Sequence, residues 1–307
     1  MVQSTLSLPV QNLVKQIFDI NIMREIFKDY DFGPQEKHYY QTNYMTSYST
    51  SEDEVNKLKY KMTREILDRN NDFNLVSRRN YQTQNLLDVC YSELHSKIDV
   101  LSKNTEMFGL IQTYVANTQS PLHSNYKIDI NNVYCVQRHG DDERFVGGIG
   151  NKKLLWHGSQ LSNIATILSR GFKINPPNTE NSGNMFGKGI YFTNTVSKAA
   201  RYSRADDKQS HGIILLCTVA LGNTMECYEA LNTIRQLPHG KHSIHGRGDR
   251  VPDNKFTKII SPDVEVPCGP IIKIPISTDL IHDEFIVYNP AQIKIRYLVD
   301  VKFKYIN

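Results

Sequence analysis

Ile293-Lys-Ile-Arg-Tyr-Leu-Val-Asp-Val-Lys-Phe-Lys304 alternates apolar with charged side chains over almost its whole length, and that alternation decides the fold class. Ile293, Ile295, Tyr297, Val299, Val301 and Phe303 fall on one side; Lys294, Arg296, Asp300, Lys302 and Lys304 fall on the other, with Leu298 as the break. Successive side chains of a strand point to opposite faces, so a period of two predicts a strand with one face buried. Upstream, Gly212-Ile-Ile-Leu-Leu-Cys-Thr-Val-Ala-Leu221 is long and nearly all apolar, as a buried central strand requires. Val133-Tyr-Cys-Val-Gln-Arg138 and Leu154-Leu-Trp156 read as shorter strands. Two helical pieces interrupt them, one from Ser159 to Arg170 closed by Gly171, the other from about Val196 to Arg204. This part of the chain is α+β.

The first third has a different grammar. Ser7 can cap a helix with Pro9 in its first turn, after which Val10, Leu13, Val14, Ile17 and Phe18 recur at the spacing of one helical face. Gly33-Pro34 closes that region, and the Tyr-, Ser-, Thr- and Gln-rich stretch from Phe32 to Ser51 reads as a connection. Val55, Leu58, Met62, Ile66 and Leu67 resume helical spacing, and a third helical pattern runs from about Asn104 to Val115. The turn-rich Asn117-Thr-Gln-Ser-Pro121 then suggests a boundary, with a small all-helical domain at 1–118 and the α+β domain at 119–307.

Composition narrows the classes. With 307 residues, 39% apolar and 22% charged, the chain is neither collagen-like nor wholly disordered, and it is long enough for a core without staples. A formal charge of +4 is too small to announce a nucleic-acid protein, so nucleic-acid contact is expected to be weak or absent. Five cysteines, without a CxxC pair, point to a reducing compartment rather than to disulfides or cysteine-bound zinc. Met1 to Val10 lacks the basic and apolar regions of a secretion signal, and no run approaches the ~20 apolar residues that span a bilayer; no membrane contact is expected.

Three segments carry candidate chemistry: Leu154-Leu-Trp-His-Gly-Ser159; Met185-Phe-Gly-Lys-Gly-Ile-Tyr-Phe192 with Ser197-Lys-Ala-Ala-Arg-Tyr202; and Asp283-Glu-Phe-Ile-Val-Tyr-Asn289. In the first, an apolar strand ends in an imidazole, a glycine that lets backbone amides approach a ligand, and a hydroxyl. In the second, Tyr191 and Tyr202 can present two phenol rings to one pocket. The third sets Glu284 at the head of an apolar strand. Taken singly, each has a plainer reading: a hydrogen-bonded surface histidine, a glycine turn, core tyrosines, a solvated carboxylate. Their occurrence together, in this order, is what separates them from that background. His239-Gly-Lys-His-Ser-Ile-His245 spaces three histidines as a chelator might, but second ligands of the usual kind are missing nearby, and no metal is expected.

These segments closely resemble the catalytic domain of the poly(ADP-ribose) polymerases, through Leu154 to Ser159, Gly183 to Phe192, Val219-Ala-Leu-Gly222, Gly240-Lys-His-Ser243 and Glu284-Phe-Ile-Val-Tyr288. The likeness covers about Tyr126 to Phe303. More weakly, Leu8 to Asp19 and Asp88 to Leu94 resemble the first and last parts of the helical regulatory domain of the DNA-dependent members. The resemblance implies a split two-sheet ADP-ribosyltransferase fold preceded by a reduced helical domain. It also implies NAD as co-substrate, protein acceptors including the chain itself, and nuclear residence, with the cytoplasm as the alternative because no compact basic import cluster stands out. By position, His157, Tyr191 and Glu284 form the family's triad, with Lys198 beside Glu284 favouring its ionised form. His157 would hold a ribose hydroxyl, Gly158 the carboxamide and Ser159 the adenosine ribose. Tyr191 and Tyr202 would sandwich the nicotinamide, and Asn163, Gly171 and Lys173 would complete the NAD contacts.

Three departures accompany the resemblance. Ala199 stands where the family usually has a serine that bonds the carboxamide, Lys173 replaces a common arginine, and Asn184 replaces a tyrosine. The implied activity is polymer-forming ADP-ribosyl transfer, with transfer of single units, or a silent NAD- or ADP-ribose-binding module, as the rivals.

Overall fold

The structure is a computed structural model that describes residues 3–18, 85–174, 185–203, 210–231, 234, 236–260 and 263–306. The readings at Gly33-Pro34, Phe32 to Ser51 and Val55 to Leu67 lie outside the described residues, as do Asn184 and Arg204. The helices are α1 (Leu8–Ile17), α2 (Leu86–Glu93), α3 (Glu106–Asn117), α4 (Asp141–Arg144), α5 (Leu161–Arg170) and α6 (Val196–Ala200). The chain divides into two compact units, Met1–Ser96 with Leu161–Arg170, and Lys97–Gln160 with Gly171–Asn307.

In the first unit, α1 packs against α2 and α5. The helical spacing read from sequence is realised, since Val10, Leu13, Val14, Ile17 and Phe18 are all buried. Ser7 occupies the N-cap position of α1 with Pro9 in the first turn, yet its hydroxyl makes no capping bond. The N-terminal segment is tied instead to Asp88 of α2, which accepts from the Thr5 amide at 3.0 Å and from the Ser4 hydroxyl.

The second unit is built on sheets. Its strands are β1 (Ser96–Val100), β2 (Tyr126–Arg138), β3 (Lys152–Gly158), β4 (Ile190–Phe192), β5 (His211–Ala220), β6 (Thr224–Cys227), β7 (Ser243–Gly246), β8 (Arg250–Pro252), β9 (Lys258–Ile260), β10 (Val264–Val266), β11 (Ile271–Lys273), β12 (Glu284–Val287) and β13 (Ile293–Tyr305). A seven-stranded sheet has the order β1-β2-β13-β5-β3-β10-β9, and a four-stranded sheet has the order β4-β12-β7-β6; β11 and β8 form a separate ribbon. The expected α+β, two-sheet architecture is therefore present. β5 lies at the middle of the larger sheet and is buried throughout except at His211, as its unbroken apolar run requires.

β13 departs from its simple alternation. Its charged residues are partly or fully exposed at both ends, but Leu298 and Asp300 are buried along with Tyr297, Val299 and Val301, so mid-strand both faces are covered. The strand pairs antiparallel with β2 on one edge and β5 on the other. Asp300 tolerates this position by accepting from Asn131 Nδ2 at 3.4 Å.

α3 covers one face of the large sheet with Phe108, Ile111, Tyr114 and Val115. Tyr114 packs on Trp156 with ring centroids 4.8 Å apart and donates its hydroxyl to the Leu154 carbonyl at 3.1 Å. Phe186, Ile244, Leu280 and Ile286 form a second core against the smaller sheet. The two sheets meet where Trp156 of β3 and Thr193, just after β4, exchange backbone hydrogen bonds of 2.8 and 3.0 Å.

Candidate active site

That junction places the ends of several elements around one opening. β3 ends at His157 and Gly158, β4 carries Tyr191, α6 and the turn after it carry Lys198, Ala199 and Tyr202, and β12 begins at Glu284. β12 runs antiparallel to β4 with Ile286 opposite Tyr191, a register that brings Glu284 and Tyr191 to the same cleft. The cleft is lined by Gly158, Tyr191, Lys198, Ala199, Tyr202 and Glu284, among others. Gly158 has no room for a side chain: a Cβ there would fall 1.7 Å from the Ala199 carbonyl oxygen.

Glu284 is buried, and its Oε1 lies 2.7 Å from Lys198 Nζ. Lys198 also donates to the His282 carbonyl at 3.2 Å, so the ammonium is held from two sides. Glu284 Oε2 is buried and has no hydrogen-bond partner among the described residues. A buried acceptor without a donor costs free energy, and a ligand hydroxyl would relieve that cost.

His157 is half-buried, with its ring edge-on to Phe172 at 4.8 Å and tilted against Phe192 at 5.4 Å. Desolvation lowers its pKa to about 4, against a smaller opposing effect of its bond to the Tyr191 carbonyl, so the ring is neutral at pH 7. Nδ1 lies 2.8 Å from that carbonyl oxygen. A carbonyl can only accept, so Nδ1 carries the proton and Nε2 is left as a bare acceptor.

Tyr191 spends its hydroxyl locally. It donates to the Gly187 carbonyl at 2.7 Å and accepts from the Phe186 amide at 3.0 Å. Burial pushes its pKa up to about 12, which leaves the ring face, rather than the phenol proton, for a ligand. Tyr202 is 46% exposed, and partial burial followed by the nearby Glu284 charge raises its pKa. The serine of α6 is not available to the cleft either: Ser197 Oγ accepts from the Ser120 amide at 2.9 Å and pairs with His123 Nδ1 at 2.9 Å.

The structure thus gathers Gly158, Tyr191, Lys198, Tyr202 and Glu284 of the predicted set around one cleft. His157 and Ser159 lie at the end of β3, next to the lining rather than in it. Gly171 follows α5 at φ +78°, where a Cβ would come within 3.2 Å of the Arg138 guanidinium, and Lys173 beyond it is exposed; neither lines the cleft. Asn163 lies on α5, in the first unit.

The histidine-rich loop serves the backbone. His242 Nδ1 accepts from the Asn223 amide at 3.0 Å, and Ser243 donates to the Leu221 carbonyl at 2.7 Å, so Gly240 to Ser243 brace the turn at Gly222. Sequence reasoning missed Asp283, Thr193, Asn194 and His245, which surround the start of β12. The one available signal was an unusual acidic pair, Asp283-Glu284, opening an apolar strand.

The family model described as the poly(ADP-ribose) polymerase catalytic domain matches residues 84–303. Poly [ADP-ribose] polymerase of Sarcophaga peregrina is 42% identical over 72% of this chain and 22% of its own length. Poly [ADP-ribose] polymerase 2-A of Oryza sativa is 41% identical over 70% of this chain and 33% of its own. Poly [ADP-ribose] polymerase 1 of Gallus gallus is 33% identical over 99% of this chain and 34% of its own. The chain thus spans between a fifth and about a third of the length of these relatives. With a match over most of its residues and a cleft assembled from the segments that first suggested the likeness, the chain belongs to the poly(ADP-ribose) polymerase catalytic-domain family.

Proposed function

We propose that the chain transfers ADP-ribose from NAD to protein acceptors, its own chain among them, releasing nicotinamide and extending the transferred unit into polymers. The observation that carries this reading is Glu284, buried at the cleft, with one oxygen held by Lys198 and the other without a hydrogen-bond partner among the described residues. Breaking the bond between nicotinamide and ribose gives the sugar oxocarbenium character, and a fixed carboxylate binds that developing charge more strongly than the ground state. His157, neutral and with a bare Nε2, suits a ribose hydroxyl donor. The Tyr191 ring face suits the cationic nicotinamide, an attraction of ~0.5–2 kcal/mol depending on desolvation. The same carboxylate can then polarise an acceptor hydroxyl for elongation.

No metal enters this scheme, and among the described residues no group of three potential ligands is gathered. Nuclear residence and weak or absent nucleic-acid contact belong to the same reading. Among the described residues, no helix is long and apolar enough to cross a membrane.

Incubation with labelled NAD, followed by sizing of protein-bound product, tests the proposal. Long products that disappear in Glu284→Gln support it, with an expected rate loss of ~10²–10³. Single bound units would indicate mono-transfer, and binding without turnover would indicate a silent module, the outcome that the missing serine at Ala199 favours.

A further inference from the structure

Asp283 lies outside the cleft lining and is 5% exposed. Its Oδ1 accepts from the Gly248 amide at 2.9 Å; its Oδ2 accepts from Asn194 Nδ2 at 2.9 Å and lies 3.2 Å from His245 Nε2. Its main-chain carbonyl accepts from the Thr193 hydroxyl at 2.8 Å. These partners come from β7, from the turn after it and from the segment after β4, so one residue gathers three stretches of chain at the root of Glu284. Gly248 is pressed against the same root: a Cβ there would fall 2.4 Å from the His282 carbonyl carbon and 2.7 Å from the Asp283 nitrogen. Thr193 in turn exchanges its backbone bonds with Trp156, the residue before His157. Hydrogen bonds therefore run without a gap from the base of Glu284 to the strand that carries His157.

We propose that Asp283 is a positioning residue that sets where Glu284 stands relative to His157, by clamping the junction of the two sheets. The proposal rests on the reading of Glu284 as the catalytic carboxylate. Burial alone would raise the Asp283 pKa, but His245, the Gly248 amide and Asn194 outweigh it and hold the carboxyl below its usual range, so the clamp is charged at neutral pH. The consecutive acids are thereby kept apart in function: Lys198 serves Glu284, and His245 serves Asp283. His245 is itself fixed by stacking on Phe285, centroids 4.3 Å apart.

A displacement of about 1 Å at a reacting group can cost ~10² in rate without removing any contact to substrate. Asp283→Ala is therefore expected to lower kcat for nicotinamide release by roughly that factor while KM for NAD changes by less than about threefold. The test is a double-mutant cycle in the full chain, with Asp283→Ala introduced alone and together with Glu284→Gln. A residue acting through Glu284 should be nearly silent once Glu284→Gln is present, with a further loss of under about threefold. Equal losses with and without Glu284→Gln, or a loss confined to KM, overturn the proposal alone. If Glu284→Gln leaves turnover intact, the assignment of Glu284 fails and this proposal with it. Asp283→Asn keeps the shape and the acceptor for Gly248, and it carries the same cycle should the alanine variant not fold. It is expected to restore part of the lost kcat, and a kcat no better than that of a folded Asp283→Ala also overturns the proposal.

Discussion

At the scale of single residues, the site divides labour by which atoms remain free. The Tyr191 hydroxyl is consumed by Phe186 and Gly187, His157 keeps only Nε2, and Glu284 keeps only Oε2. His157→Ala and Tyr191→Ala should therefore raise KM for NAD as well as lower kcat, whereas Glu284→Gln should act mainly on kcat. Steady-state kinetics of the three variants check this, and an unchanged KM in both of the first two would remove them from the site. Ala199 lines the cleft and Ser197 is committed to Ser120 and His123, so α6 offers no hydroxyl to a carboxamide. Ala199→Ser should restore one hydrogen bond, worth ~0.5–1.5 kcal/mol net, and tighten a benzamide-type ligand by roughly two- to tenfold. Calorimetric titration of both proteins decides it, and equal or poorer binding by the serine variant counts against the assignment.

At the scale of elements, the closest fit is between the end of β3 and α6. Any side chain at Gly158 would collide with the Ala199 carbonyl, so Gly158→Ala must push α6, and with it Lys198, away from β3. Overpacking of this kind costs about 1–3 kcal/mol, and each kcal/mol lowers Tm by roughly 2–4 °C in a domain of this size. Differential scanning calorimetry should show that fall together with lost affinity for a benzamide-type ligand. A variant with the parental Tm and affinity would mean that α6 shifts freely. The glycine in His-Gly-Ser was read as letting backbone amides approach a ligand; that a carbonyl on α6 also crowds it was not legible.

At the scale of the whole molecule, desolvated histidines tie stability to pH. Desolvation, helped by neighbouring cationic groups at His123, brings His123 and His157 to pKa values of about 4 and lowers that of His282. Between the ordinary value near 6.5 and about 4, the unfolded chain binds protons that the folded chain refuses, so stability is lost as pH falls through that window. Tm should hold from pH 8 to 7 and decline from about 6.5 downward. His157→Asn, whose amide can still donate to the Tyr191 carbonyl, should shallow the decline. A Tm that stays flat from pH 7 to 5 contradicts the burial assigned to these rings. Asp283 depends on pH in the same direction but in a lower window, its contribution persisting at neutral pH and being lost only as pH falls through the usual carboxylate range and below.

Sequence alone was enough to determine β5, the ends of β13 and the buried face of α1, because each rests on a local period or a short contiguous run; the resemblance added Gly158, Tyr191, Lys198, Tyr202 and Glu284, which the structure sets around one cleft. β2 was read too short: Tyr126, Ile128 and Ile130 alternate with polar residues ahead of the apolar run at Val133, a weaker signal beside a turn. The three- and four-residue strands from β6 to β11 are too brief for a period to register. Only the tertiary structure decided that Leu298 and Asp300 are buried and that Asp283 draws donors from Asn194 and Gly248 and lies beside His245. Those pairings join residues 35 to 89 positions apart. Making them costs the entropy of closing long loops, which burial of a shared core offsets, and no local repeat in the chain records which ends will meet.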